Sequence, residues 1–168
     1  VYKRQVEVTP AMVHYYFGSK LALLRQVLER TLEPLAATIV RMREARHAPP
    51  REIAGLLLRM LREHPALPIL MVREVMLPGG QMQEHFLEHL APRLGGALPG
   101  LLGREQAAGR IAADVDPNIA ALVLISLCLF PFIARNVAEP GLRIAYDADG
   151  LGRLEQHIGR LFEEGFAA

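Results

Sequence analysis

Two histidines and a glutamate in the stretch HFLEH stand at a spacing that could support zinc chemistry. On an α-helix, His85 and His89 share one face, as two zinc ligands must, while Glu88 could act as the general base of a metallopeptidase. A third ligand would have to come from elsewhere in the chain, and Glu163 or Glu164 is a candidate. The simpler interpretation is a solvated helix face, so a zinc metallopeptidase is an alternative function and not the favoured one.

A second stretch, TPAMVHYYFGSK at residues 9–20, places three aromatic side chains in a row in a chain that has only six Phe and four Tyr. Thr9 and Pro10 are suited to start a helix, because a threonine side chain accepts a hydrogen bond at the N-cap and proline suits the first turn. Gly18 and Ser19 are predicted to end this helix, and Ser19 to cap the next one. Consecutive residues cannot all lie on one helical face. Part of the aromatic run must therefore face outward.

The outward-facing residues of this stretch are of types that bind DNA. Tyrosine hydroxyls and the ammonium group of Lys20 suit phosphate oxygens, which set the register on the duplex without reading its sequence. The side chain of Ala11 is small enough to meet a thymine methyl group. Val13 and Phe17, four residues apart, would anchor the helix on its scaffold, and ordinary packing at a helix end is the alternative. The predicted DNA-contacting residues are Thr9, Pro10, Ala11, Met12, His14, Tyr15, Tyr16 and Lys20.

Residues 9–20, with Val8 before them, resemble the turn, recognition helix and exit of a TetR-family helix-turn-helix. The family pattern is roughly Gly-Val-Ser/Thr, a few variable residues, two aromatics and Phe, a small pair and Lys. Glu7 stands where the family usually has glycine in the turn, and residues 1–6 do not match the supporting helix. The chain also begins with Val instead of Met, so we expect a fragment that keeps the recognition helix without the preceding helices. The matching residues are Val8, Thr9, Tyr15, Tyr16, Phe17, Gly18, Ser19 and Lys20.

The resemblance implies a ligand-responsive transcriptional regulator, usually a repressor. Such a protein is a homodimer that, at full length, binds palindromic double-stranded operator DNA and loses affinity when a small molecule binds its helical domain. Residues 1–20 would then be a partial DNA-binding domain and residues 21–168 the effector-binding and dimerisation domain. We expect no enzymatic activity, metal or cofactor. A helical interaction module without DNA binding also remains open, although it leaves the tyrosine pair and Lys20 unexplained.

The elements that position these residues are predicted to be helices only. Apolar residues recur at steps of three and four from Leu21 to Met42, from Ile53 to Leu61 and from Leu151 to Phe162, which is typical of amphipathic helices. A further helix is predicted where apolar residues step by four from Met82 to Leu98, with a bend at Pro92 and Gly95-Gly96. Leucine and alanine outnumber the β-branched residues, which also favours helix. The predicted fold class is all-α, with the remnant of a helix-turn-helix domain followed by a helical bundle.

Composition limits the class of protein and its compartment. A chain of 168 residues is long enough for one well-packed domain. The single cysteine, Cys128, excludes a disulfide framework and suits a reducing cytoplasm. The longest apolar run, residues 119–133, is shorter than the roughly 20 residues needed to span a bilayer, so no membrane partner is expected. A net charge of +1 neither supports nor excludes DNA binding.

The most apolar helices are expected to enclose a pocket for a small apolar effector, because Met and Phe adapt to irregular apolar ligands. Arg73 or Arg135 could hold an anionic group there. A solid core is the alternative, with Cys128 a small buried hydrophobe and Arg135 the cationic end of a helix. The helix that starts near Asp116 and the last helix have more apolar surface than one monomer covers, which predicts a two-fold dimer. The predicted ligand-binding residues are Met71, Arg73, Met76, Phe86, Leu124, Leu127, Cys128, Phe130 and Arg135.

Overall fold

A computed structural model describes residues 10–44 and 49–165, and for Pro10 and Val13 it describes the backbone only. Within these ranges every regular element is a helix and no strand occurs, which confirms the predicted all-α class. The α-helices are α1 (Pro10–Phe17), α2 (Lys20–Glu44), α3 (Pro50–Glu63), α4 (Leu67–Met71), α5 (Gln83–His85), α6 (Leu98–Ala107), α7 (Pro117–Ile133), α8 (Arg135–Gly141) and α9 (Ala148–Gly165).

The core forms where α2, α3, α6 and α7 pack together, and α9 covers the outer side of α3. On α2, the buried residues recur at steps of three and four, so the predicted apolar stripe is the face that enters the core. Truncating a fully buried leucine in such a core costs about 2–5 kcal/mol of folding free energy. The buried residues of α2 are Leu28, Leu32, Leu35, Ala36 and Ile39.

Helix α7 begins where the sequence predicts, at Asp116-Pro117. The carboxylate of Asp116 accepts a hydrogen bond from the backbone N–H of Asn118 at 2.7 Å and caps the helix. This backbone hydrogen bond, followed by one from the Asn118 side chain, lowers the pKa of Asp116. Proline at the first helical position has no N–H to leave unsatisfied. Local sequence signals therefore set this helix start.

The segment between α5 and α6 departs from the predicted helix that steps by four from Met82 to Leu98. The chain forms α5, a π-helical turn at Phe86–Leu90, and 3-10 turns at Ala91–Arg93 and Gly95–Ala97 before α6 begins. A second π-helical turn, Val72–Met76, extends α4. Pro92 lacks the N–H that an α-helix requires, and glycine pairs have low helix propensity. The result is an irregular wall on one side of the core.

Helices α7 and α8 are bent by 72° relative to each other. Arg135 starts α8 and does not end α7, so the prediction that it is the cationic end of the long apolar helix is wrong. The hydroxyl of Tyr146 donates a hydrogen bond to the carbonyl oxygen of Pro131 at 2.6 Å and holds the following loop against α7. In residues 10–44 and 49–165, no single helix has the length and apolar character needed to cross a membrane, and the bent α7–α8 pair meets that test only as a pair.

Candidate DNA-contacting helix and ligand cavity

The junction between α1 and α2 is a two-residue turn with defined caps. Gly18 has φ +74°, a left-handed conformation that favours glycine and commonly ends a helix. The ring Nδ1 of His14 donates a hydrogen bond to the carbonyl oxygen of Gly18 at 3.0 Å. On the other side, Ser19 Oγ accepts from the backbone N–H of Ala22 at 3.0 Å, which confirms the predicted cap of α2. These bonds define the geometry of the junction between α1 and α2.

The aromatic run of α1 divides between exposed and packed side chains. Tyr15 is 83% exposed and Tyr16 is 68% exposed, and their rings meet edge to face with 5.0 Å between centroids. Phe17 is half-buried. Thr9 lies outside the described residues, and nothing is described of the Pro10 side chain. The remaining predicted DNA-contacting residues are all exposed, namely Ala11, Met12, His14, Tyr15, Tyr16 and Lys20.

Helix α1 and the first turns of α2 contain no acidic residue. Residues 10–28 contain Lys20 and Arg25 but no Asp or Glu, and the first carboxylate after α1 is Glu29. Cations and tyrosine hydroxyls suit a polyanion such as a phosphate backbone. Glu7 precedes this stretch in sequence, and Glu63 and Glu74 line the cleft next to Lys20. Chemically, this end of the molecule can therefore accept phosphate contacts.

A cavity of about 370 Å³ lies between α2, α3, α4, the irregular segment after α5, and α7. Its walls are aliphatic, aromatic or sulfur-containing, apart from the side chain of Gln83. This volume falls within the range of about 300–1,000 Å³ that is usual for small-molecule sites. The lining residues are Leu32, Leu35, Ile39, Leu57, Met60, Leu61, Leu67, Met71, Val75, Met76, Gln83, Phe86, Leu87, Ala91, Leu94, Gly95, Leu98, Ile125, Cys128 and Leu129.

Four of the predicted ligand-binding residues line this cavity, namely Met71, Met76, Phe86 and Cys128. Three others on α7 do not. Leu124 is fully buried outside the lining, Leu127 is half-buried, and Phe130 is 65% exposed. Because successive helical residues are rotated by about 100°, the face of α7 that meets the cavity carries Ile125 and Leu129 beside the predicted Cys128.

Neither predicted anion-binding arginine reaches the cavity. Arg73 lines a separate cleft that it shares with Lys20 at the start of α2. The guanidinium of Arg135 lies 5.0 Å from the ring centroid of Tyr146, and its Nε donates to Glu139 at 3.1 Å. The prediction that one of these arginines sits at the pocket is therefore corrected. Each arginine side chain leaves its own helical element on a face that does not meet the cavity.

Two helices, α2 and α3, supply a part of the remaining wall that was not predicted. Leu32, Leu35 and Ile39 come from α2, and Leu57, Met60 and Leu61 from α3. The periodicity of both helices marks these residues as inward-facing. It cannot separate the wall of a cavity from a solid core, because both need the same apolar stripe.

Cys128 is an apolar element of the cavity wall. Its sulfur lies 4.0 Å from the carbonyl oxygen of Ala54. Burial raises the pKa of the Cys128 thiol to about 12, and the charge of Glu155 acts in the same direction. Since the thiolate is the reactive form of cysteine, the geometry favours the small buried hydrophobe over a redox sensor.

The HFLEH stretch does not converge on a metal position. Nε2 of His85 donates a hydrogen bond to Oε1 of Glu29 on α2 at 3.0 Å. The His89 ring stacks on the His85 ring with 4.6 Å between centroids, and its Nδ1 donates to the carbonyl oxygen of His85. Glu164 pairs with Arg160 on α9. In the part of the chain that the structure describes, no group of three or more His, Cys, Asp or Glu residues could hold a metal ion.

The outer face of α7 is apolar and uncovered. Ile119, Leu122 and Phe130 are each about 60% exposed or more, and Val137 on α8 is 74% exposed. Helix α9 buries its own apolar stripe, mainly against α3, and exposes Leu161. Isolated apolar residues on a surface are ordinary, but a row along one helix indicates an interface.

No family model matches this chain. No curated protein matches it either.

Proposed function

We propose that this chain carries the recognition helix and the effector-binding and dimerisation domain of a TetR-like transcriptional regulator. It would act as a repressor that leaves double-stranded operator DNA when a small apolar molecule binds. The observation that carries the proposal concerns α2, which starts at the junction with the exposed, acid-free α1 and continues along the wall of the cavity. A candidate DNA-contacting surface and a candidate ligand site thus share one helix.

The exposed residues of α1 support the DNA-binding half of the proposal. Tyr15, Tyr16 and Lys20 would contact phosphates, while Ala11 and His14 would lie nearer the base edges in the major groove. Such a division is what a short recognition helix requires, since phosphate contacts place the helix and base contacts select the sequence.

Two side-chain pairs connect α2 to the irregular wall of the cavity and would carry the ligand signal. Glu29 accepts a hydrogen bond from His85 at 3.0 Å, and Glu33, one turn further along α2, accepts one from Arg93 at 2.7 Å. A ligand that displaces this wall would move α2 and, through the capped junction, α1. The ligand must bind the low-affinity state more tightly than the operator-bound state, and this difference sets the size of the response.

The uncovered apolar face of α7 supports a two-fold dimer. A symmetric contact would place this face of one copy, with Leu161 of α9 alongside, against the same face of the other. Dimerisation would then fix the separation of the two copies of α1. A palindromic operator requires such a fixed separation, because its half-sites are spaced by whole turns of the duplex.

The test is selection of duplexes from a random-sequence pool by the full-length protein, followed by anisotropy titrations with a selected duplex and its scrambled version. We expect a palindromic sequence to be enriched, and we expect apolar compounds found by thermal shift to weaken its binding. If no sequence is enriched although the protein is folded and dimeric, the result would favour a helical interaction module without DNA binding over a transcriptional regulator. Hydrolysis of peptides that depends on added zinc would instead support the metallopeptidase.

A further inference from the structure

We propose that the cavity accepts an uncharged, mainly hydrocarbon molecule with one terminal hydrogen-bonding group, which the amide of Gln83 meets at the mouth, and that it rejects organic anions and cations. The assignment takes the ligand-binding role of the cavity from the proposed function and adds the chemical class of the ligand. It is carried by the composition of the wall, by the position of the mouth and by the pairing of the charged groups nearby.

The wall offers no partner for a charge. Among its twenty lining residues there is no Asp, Glu, Lys, Arg or His, and the sulfur atoms of Met60, Met71, Met76 and Cys128 are weak hydrogen-bonding groups. A charged group that leaves water for such a wall loses its hydration without gaining a counter-ion. A ligand that places its charge inside the cavity is therefore strongly disfavoured against a neutral ligand of the same shape.

The mouth lies between the π-helical turn Val72–Met76 and the start of the irregular segment. Met76 is 48% exposed and Leu87 is 60% exposed although both line the cavity, and Gln83 beside them is also exposed. Other parts of the lining are closed to solvent, and Ile39 and Leu98 are each 1% exposed. A ligand therefore has an apolar end inside and one end at the mouth. The Gln83 amide can both donate and accept a hydrogen bond there.

Two basic side chains close in sequence to the mouth already pair with carboxylates of α2. Arg93 donates to Glu33 at 2.7 Å, and His85 donates to Glu29 at 3.0 Å. An anionic ligand would have to displace one of these carboxylates. Arg73, the cation within the π-helical turn at the mouth, lines the separate cleft next to Lys20. The neutral amide is thus the polar group that the mouth presents from the cavity wall.

The test uses three competitors with the same hydrocarbon tail: decanoate and decyltrimethylammonium below their micellar concentrations, and 1-decanol below its solubility limit. They compete with the neutral fluorophore N-phenyl-1-naphthylamine on the 168-residue chain without DNA. We expect 1-decanol to displace the fluorophore and both ions to bind at least about tenfold more weakly, because a charged head group at the mouth loses part of its hydration and finds no counter-ion in the wall. Decanoate that binds as tightly as 1-decanol overturns the proposal. Failure of the fluorophore and of 1-decanol to bind also overturns it.

A gain of binding shows where the head group lies. Gln83→Lys should improve decanoate affinity by about tenfold, because it places an ammonium group at the mouth, and should reduce the preference for 1-decanol. Gln81→Lys adds the same charge two residues away at an exposed position outside the lining and should change neither affinity. Equal effects of both variants would place the head group elsewhere and overturn the role of Gln83.

The outcomes separate this inference from the proposed function. If 1-decanol binds selectively but neutral apolar compounds leave operator binding unchanged, the cavity assignment stands and the regulator fails. If a carboxylate occupies the cavity of the wild-type protein and releases operator DNA, the regulator stands and the neutral-ligand assignment fails. Because the competition is measured without DNA, neither result depends on the other.

Discussion

Helix α2 connects two regions that suit opposite kinds of ligand. At its start, α1 exposes Tyr15 and Tyr16, and residues 10–28 contain no acidic residue. Further along the same helix, the cavity buries side chains with almost no polar atoms. The first surface suits a polyanion that keeps its hydration until phosphate contacts form, and the second suits a molecule that gains by leaving water. Salt should therefore weaken the first interaction and have little effect on the second.

Cys128 provides the largest expected difference between the buried and the exposed region. Because its pKa is raised to about 12, the folded chain should react with a thiol reagent at pH 8 about 1,000-fold more slowly than the chain unfolded in denaturant. The reaction is followed by absorbance with a chromogenic disulfide. A similar rate in both states would contradict the burial of the thiol within the cavity wall.

The same thiol gives a pH dependence of stability with a defined sign. Its folded pKa lies above the ordinary value, so the fold favours the neutral thiol. The neutral thiol contributes to the free energy of unfolding in full below a pH of about 8.5. This contribution is lost as the pH rises toward about 12, because the unfolded chain then binds fewer protons than the folded chain. Denaturant titrations at increasing pH should show a smaller decline for Cys128→Ala. If stability declined by the same amount in the wild-type protein and in Cys128→Ala, the decline would have to come from other titrating groups.

The uncovered face of α7 should dominate assembly. Phe130→Glu places a charge on that face, and we expect the dimer dissociation constant to rise about 100-fold or more, because a large apolar side chain at the centre of an interface is often a hot spot. Leu161→Glu on α9 should act in the same direction. Sedimentation velocity measures the change, with Gln156→Glu on an exposed part of α9 as the control. If the wild-type chain were monomeric at micromolar concentration, the proposed dimer interface on α7 would be wrong.

Truncation of the cavity wall should separate ligand binding from general stability. Met71→Ala and Phe86→Ala remove contacts within the cavity and should weaken binding of N-phenyl-1-naphthylamine by about tenfold. Leu101→Ala is the matched control, because Leu101 is buried in the core but does not line the cavity. It should cost about 2–5 kcal/mol of stability with little change in fluorophore affinity. In the full-length protein, equal losses of ligand and operator affinity would indicate destabilisation alone.

Lys20 gives the smallest and most specific effect. Lys20→Ala should lower the slope of log affinity against log salt by about 0.9 for duplex DNA, because one phosphate contact is lost, and should weaken all sequences alike. Anisotropy titrations at several salt concentrations measure the slope, and Arg153→Ala on exposed α9 is the control. A changed sequence preference with an unchanged slope would contradict the assigned phosphate contact.

In the 168-residue chain, we expect the cavity to bind its ligand but α1 to bind DNA only weakly. A helix as short as α1 is not stable in isolation, and its orientation depends on packing with its neighbours. We expect this chain to dimerise and to bind the fluorophore, yet to show only weak, salt-sensitive binding to DNA and no preference for an operator selected by the full-length protein. Strong discrimination between the operator and a scrambled duplex by this chain would show that residues 1–9 support α1 more than expected.

Features that depend on neighbouring residues could be predicted from the sequence. The start of α7 at Asp116-Pro117, the cap at Ser19 and the break at Gly18 are confirmed, because each depends on side-chain and backbone chemistry within a few residues. The arrangement of Pro92 and the following glycines indicated a bend, but not the π-helical turn before it. A π-helical turn depends on how the surrounding helices pack, as well as on local propensity.

The sequence by itself determined that the chain is all-helical, where several helices begin, and that Tyr15 and Tyr16 cannot both pack inward with Phe17. Only the tertiary structure decided which apolar faces enclose a cavity, which fill the core and which remain exposed. Leu124, Cys128 and Phe130 are equally apolar in sequence, yet they lie in the core, the cavity wall and the solvent-exposed face. The physical reason is that these surroundings come from contacts between distant segments, such as Glu29 with His85, 56 residues apart, and periodicity within one helix does not contain them.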